Sequence, residues 1–84
     1  MFFMYILQSK KDNNLYIGYT SDLLRRFKEH NSGLVKSTKP RKPFRLAYYE
    51  AYSSKQDATK REHNLKLNSR ALAQLKKRIE SCLD

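Results

Sequence analysis

From Phe2 to Gln8 the chain reads FFMYILQ, with β-forming side chains at successive positions instead of alternate ones. A strand apolar on both faces belongs inside a sheet and not at its edge. Lys10-Lys11-Asp12-Asn13-Asn14 is polar and turn-prone, and Leu15 to Thr20 resumes the β pattern, so the two runs predict a hairpin. The register decides which side chains meet. A four-residue loop pairs Ser9 with Asn14 and puts Tyr5 and Tyr16 on one face, whereas a five-residue loop puts them on opposite faces unless a bulge intervenes.

Thr20-Ser21-Asp22 offers hydroxyl and carboxylate N-caps for a helix running to about His30, with Leu23, Leu24 and Phe27 as its inward stripe and Asn31-Ser32-Gly33 as its stop. Arg26 and His30 are four residues apart, so they share a face, bordering the stripe at the rim of the sheet. The stretch from Lys36 to Pro43 combines Lys36, Lys39, Arg41 and Lys42 with two prolines, which rule out a regular helix and leave a basic loop. Phe44 to Tyr52 is a third strand, with Phe44, Leu46 and Tyr48 on one face and Ala47, Tyr49 and Ala51 on the other. Ser53 with Gln56 forms a capping box for a second helix, in which Ala58, Glu62 and Leu65 share a face. Asn68-Ser69 breaks that helix and caps a last one, with Leu72, Leu75 and Ile79 inward and Lys76, Lys77 and Arg78 outward. The order ββαβαα describes an α+β fold, a small three-stranded antiparallel sheet flanked by helices, expected as one domain over residues 1–84.

Charge narrows the partners. Eighteen Lys and Arg stand against eight Asp and Glu, a net charge of +10 on 84 residues. That excess calls for an anionic partner, nucleic acid before a membrane surface or a ribosome. The single cysteine, Cys82, excludes an intrachain disulfide and a cysteine-based metal site and fits a reducing compartment. MFFMYIL is too short to span a membrane and follows no basic segment, so a cytoplasmic protein with no membrane partner is expected.

Glu62 is the most informative acid, because its helix is otherwise cationic while its spacing turns it toward the sheet. An inward carboxylate needs a partner: a nearby Lys or Arg in a salt bridge, or a hard divalent cation such as Mg²⁺ whose shell is completed by water and phosphate. Tyr5 and Tyr16 could be ordinary strand aromatics, Arg26 one cation among many, and His30 a helix C-terminal residue favoured by the dipole. Together, beside Gly18, they supply the phenol, guanidinium and imidazole that a phosphate site needs.

Tyr5, then Tyr16-Ile17-Gly18 eleven residues on, then Arg26 and His30, then Glu62 in a later helix, resembles the GIY-YIG nuclease domain over nearly the whole chain. The YIG half is intact, while Phe3-Met4-Tyr5 stands for GIY and keeps only the tyrosine. YIGYTSDLLRRFKEHNSG and PFRLAYYEAY are similar to the short stand-alone members grouped with excision-repair endonuclease subunits. The resemblance implies metal-dependent hydrolysis of DNA phosphodiesters with one Mg²⁺ (or Mn²⁺). Glu62 would be the metal ligand, Arg26 would stabilise phosphate charge, and Tyr5 or Tyr16, Tyr5 for preference, would deprotonate or position water. His30 would orient the phosphate or a tyrosine, and Gly18 would let substrate approach. The asparagine that supports many family sites would be Asn64 or Asn68.

Family nucleases usually owe target choice to an attached domain or partner, which implies a protein partner for this chain. Lys36, Lys39, Arg41 and Lys42 with the last helix could hold a phosphate backbone without reading sequence. A non-cleaving DNA- or RNA-binding module and a basic ribosome-associated protein are the competing readings, the latter with Glu62 merely salt-bridged.

Overall fold

The computed structural model describes residues 1–84. Three strands, β1 (Phe2–Ser9), β2 (Leu15–Thr20) and β3 (Phe44–Tyr52), form an antiparallel sheet in the order β2-β1-β3. The two-sided strand is the central one, and Met4 to Ser9 are all buried. Asn14 O accepts from Ser9 N at 3.0 Å, closing the four-residue loop with Asn13 at φ 60°. Tyr5 consequently pairs with Gly18 and Leu7 with Tyr16, so both tyrosines lie on one face.

Helices cover both faces. Met4, Ile6 and Ile17 pack with Leu65 of α2 (Lys55–Leu67), Leu75 of α3 (Ser69–Arg78) and Ile79 beyond it. On the other face Tyr5, Leu7 and Phe44 pack against Leu23 and Phe27 of α1 (Leu23–Asn31), with Tyr16 and Leu46 alongside. Asp22 caps α1 by accepting from Arg25 N, and Gly33 at φ +77° turns the chain away after it. The Asn31 side chain, at the end of α1, brackets Phe44 by accepting from its N–H at 2.6 Å and donating to its C=O at 3.0 Å. That clamp docks α1 onto the start of β3.

Three local expectations are corrected. Leu24 is 62 % exposed, because the inward arc of α1 is narrow and is filled by Leu23, Phe27 and His30. The α2 cap is Ser54, which accepts from Asp57 N, one residue beyond the Ser53/Gln56 pair. In β3 the register slips: Ile6 faces Tyr48 but Leu7 faces Leu46, leaving Ala47 as the extra residue of a bulge. The bulge resets the two-residue period, so Phe44 and Leu46 lie on the Tyr5 face while Tyr48 lies on the other, with Met4 and Ile6.

The slip also assembles a polar hub. Glu50 accepts from Tyr48 Oη at 2.8 Å, Tyr52 Oη at 2.6 Å and Arg61 Nε at 2.9 Å. Burial opposes its charge, but Arg61 and the two phenols outweigh burial and hold the Glu50 carboxyl below its ordinary value. Tying β3 to Arg61 fixes the rotation of α2 one residue before Glu62. Asn68 ends α2 and caps α3, accepting from Ala71 N. No helix is long and apolar enough to cross a membrane.

Candidate active site

The site is built on the face where Tyr5 crosses Gly18. A Cβ added at Gly18 would lie 2.4 Å from both Cζ and Oη of Tyr5. Gly18 therefore exists to seat the Tyr5 ring, and the ring covers it. This corrects the expectation that the glycine opens a path for substrate. Tyr5 is buried, at 1 % exposure, and its hydroxyl is 2.9 Å from His30 Nε2. Burial pushes the phenol up to about 12, against the lowering pull of the Arg26 guanidinium beside it.

His30 is fully buried instead of at the rim, because Phe44 and the two tyrosines close over it. Burial, reinforced by the charge of Arg26 and opposed by Glu29, pulls its imidazole down to about 4. It is neutral at pH 7, and its tautomer follows from its neighbours. A phenol this hard to ionise donates to Nε2, so Nδ1 carries the proton and donates to Thr38 Oγ1 at 2.8 Å. Thr38, at 1 % exposure, is a member of the site that sequence reasoning missed. A lone hydroxyl inside a run of cations and prolines gives no spacing signal toward a histidine eight residues earlier.

The buried imidazole has a thermodynamic consequence. Between its ordinary value of 6.5 and about 4 the unfolded chain binds a proton here that the folded chain does not, so stability rises with pH across that window. The contribution, about 3 kcal/mol, is complete above pH 6.5 and is lost as the pH falls toward 4. Glu50 adds its own loss only below 4.5. Urea melts between pH 4.5 and 7.5 are expected to show this slope in the wild type and a flattened one in His30→Gln. A wild-type stability independent of pH in that range would refute the buried neutral imidazole.

Arg26 projects from the same face of α1, with its side chain 37 % exposed and Nη1 3.1 Å from Glu29 Oε1. Burial opposes its charge, but Tyr5 and Glu29 outweigh it, so it stays a cation. It borders an open cleft of about 370 Å³ lined by Tyr19, Thr20, Ser21, Asp22, Arg25, Arg26 and Glu29. Tyr16 is half-buried, its ring centroid 4.9 Å from that of His30 and 6.3 Å from that of Tyr5. Glu62 faces inward from α2 with Ala58 and Leu65, at 8 % exposure. Its Oε2 is 2.6 Å from Lys66 Nζ and its Oε1 3.4 Å from His63 Nε2. Lys66 in turn lies 5.8 Å from the Tyr16 ring centroid, which ties the Glu62 corner to the tyrosine side of the site.

No group of three or more His, Cys, Asp or Glu is placed to hold a metal ion. One inward carboxylate fits Mg²⁺ or Mn²⁺ in one way only, with water and a phosphate oxygen completing the shell. The basic loop is ordered through Thr38 and through a bond from Ser9 Oγ to Arg41 O, and residues Lys39–Arg41 form a 3₁₀ turn. Lys36, Lys39 and Lys42 are exposed. Arg41 is not free for phosphate, since its Nε pairs with Asp12 Oδ2 at 3.1 Å and its guanidinium sits 5.6 Å from the Phe44 ring centroid. Of the two candidate asparagines, Asn68 is consumed as a helix cap and Asn64 is exposed.

Residues 1–78 match the family model described as the GIY-YIG catalytic domain. A UPF0213 protein of Staphylococcus haemolyticus is 45 % identical over 69 residues, covering 81 % of this chain and 83 % of its own. A UPF0213 protein of Listeria monocytogenes is 44 % identical over 69 residues, covering 81 % and 76 %. The solution NMR structure of a UPF0213 protein from Bacillus halodurans superposes with a TM-score of 0.56 at 44 % identity, over 89 % of this chain and 82 % of that one. Its fold is the same small α+β architecture. Matched by that family model over residues 1–78 and sharing its fold and 44–45 % of its residues with these relatives, this chain belongs to the GIY-YIG catalytic-domain family, among the UPF0213 proteins.

Proposed function

We propose that the protein is a metal-dependent endonuclease that hydrolyses DNA phosphodiesters. One observation carries this reading: Tyr5 is held between a neutral buried imidazole and a guanidinium that reaches solvent. A strand aromatic serving only the core requires neither group. Arg26 faces the phosphate and neutralises charge on its non-bridging oxygens. Tyr16, the less buried tyrosine, meets the attacking water, and Tyr5 stands behind it. A phenol raised to about 12 and an imidazole pulled down to about 4 are both poor resting bases, so the pair acts by positioning. Tyr5 donates to His30 Nε2, which leaves its oxygen to accept a hydrogen bond from the water side. Thr38 keeps Nε2 the accepting nitrogen throughout. Glu62 would hold the Mg²⁺ or Mn²⁺, which when bound supplies positive charge to the phosphoryl and leaving oxygens.

Lys36, Lys39 and Lys42, with Lys76, Lys77 and Arg78 on α3, give sequence-independent backbone contacts. Choice of target is then left to DNA structure or to a protein partner. Purified protein incubated with plasmid, nicked, flap and single-stranded DNA and Mg²⁺ or Mn²⁺ tests the reading. Arg26→Ala is expected to cut cleavage by about 10²–10³-fold, the scale for losing one preorganised electrostatic group. The Lys66–Glu62 ion pair is what the reading as a basic ribosome-associated protein expects, and it is equally consistent with a binding module of the same fold that does not cut. Tight, salt-sensitive DNA binding with every metal-supplemented cleavage assay blank would select that one.

A further inference from the structure

Lys66 lies one turn beyond Glu62 on α2, and its ammonium rests 2.6 Å from Glu62 Oε2. An i,i+4 pair on an open helix surface contributes a few tenths of a kcal/mol and has no further meaning. Here the two partners are unequal. The Glu62 side chain is 11 % exposed and that of Lys66 43 %, so the lysine covers the solvent side of an inward carboxylate. The other oxygen faces only the exposed His63, at 3.4 Å. The ammonium also lies over the Tyr16 ring, 5.8 Å from its centroid.

A divalent ion on either Glu62 oxygen would stand within a few ångströms of that ammonium, so the two cations repel each other and compete for one carboxylate. Lys66 has a flexible four-carbon stem and a partly exposed end, so it can move while the backbone of α2 stays fixed by Leu65 and the Glu50–Arg61 bridge.

We infer that Lys66 is an internal counter-cation that occupies the Glu62 site in the free protein and transfers to a DNA phosphate when the divalent ion enters. The inference rests on Glu62 as metal ligand. Metal entering alone strands an ammonium without its partner, whereas metal entering with a phosphodiester gives the ammonium a new anion. Each ligand therefore strengthens the other by the same factor. Lys66 is thus a positioning residue that biases metal loading toward the substrate complex.

Mn²⁺ binding followed by electron paramagnetic resonance tests this without reference to cleavage. The full chain is titrated with and without a phosphorothioate-linked DNA oligonucleotide, and Mn²⁺ uptake by the oligonucleotide alone is subtracted. In the wild type the oligonucleotide is expected to tighten Mn²⁺ binding about tenfold, within the usual range of coupling between two sites. Lys66→Met, which keeps the stem and removes the charge, is expected to bind Mn²⁺ about tenfold more tightly without DNA and to show reduced coupling, keeping only the share that comes from a phosphate oxygen in the metal's shell. Lys66→Arg is expected to keep the full coupling. Wild-type Mn²⁺ affinity and undiminished coupling in a folded Lys66→Met would overturn the inference while leaving Glu62 as ligand. Unchanged Mn²⁺ binding in Glu62→Gln would instead overturn the ligand assignment and the inference with it.

Discussion

Glu62→Gln is expected to reduce DNA cleavage by about 10²–10³-fold while DNA affinity holds or rises slightly. The substitution is isosteric, and the amide oxygen can still accept from Lys66, so α2 has no reason to move. What disappears is the one inward charge on that side of the site. Without it a hard cation has no protein ligand, and with the cation goes the charge that assists the phosphoryl and leaving oxygens. Phosphate-backbone contacts from exposed lysines are untouched, so affinity at matched salt is the internal control. Single-turnover cleavage with Mn²⁺ and gel shifts on the same preparation check both halves. Undiminished cleavage by a folded Glu62→Gln would refute the assignment.

Gly18→Ala is expected to destabilise the protein although it adds a single carbon. A glycine inside a strand ordinarily weakens it by about 0.5–1 kcal/mol relative to alanine, so filling such a site usually stabilises. The sign reverses here because the new methyl carbon would stand 2.4 Å from Tyr5 Cζ and Oη and 2.9 Å from Cε1. The ring cannot swing clear, being closed in by Tyr16 and His30 and bonded to His30 Nε2. Overpacking of this kind costs about 1–3 kcal/mol, which outweighs the strand gain. Displacing the hydroxyl also breaks its contact with His30 Nε2, which orients the tyrosine oxygen, so activity should fall further than stability. Urea midpoints, with imidazole nitrogen shifts of His30 by NMR, separate the two effects. A Gly18→Ala protein as stable as wild type, with the His30 signals unmoved, would contradict the geometry.

The parts of the fold legible in the sequence are those carried by short-range chemistry. The two-sided apolar run placed β1 at the centre, while the hairpin left two registers open, and only the structure selects the four-residue loop that joins Tyr5 to Tyr16. Helical spacing turned Ala58, Glu62 and Leu65 inward together. Features that depend on a single inserted residue or on loop geometry were not legible. Ala47 and Tyr48 suit either face of a strand, so nothing local marks the bulge between them. Adjacent serines at 53 and 54 offer equivalent caps, and the choice falls to the way β3 ends. His30 reads as a helix-end cation until Thr38 and Phe44 are seen to bury it. Arg41 reads as one more phosphate contact until Asp12, distant in sequence, is seen to hold it. Lys66 was within reach, since its four-residue spacing from Glu62 is visible in the sequence, but only the inward burial of Glu62 gives that spacing meaning.

The seat that Gly18 provides for the Tyr5 ring gives the decay of this site a direction in evolution. While Tyr5 is present, any side chain at position 18 collides with it, so the glycine cannot be replaced first. A lineage released from cleavage can lose Tyr5 to a smaller residue, and position 18 then becomes free to drift. Once it has drifted, restoring the tyrosine fails until the glycine has been restored before it. The cross-strand pair thus behaves as a ratchet, and a relative carrying a side chain at the equivalent of Gly18 has travelled past the point from which one substitution could bring the site back.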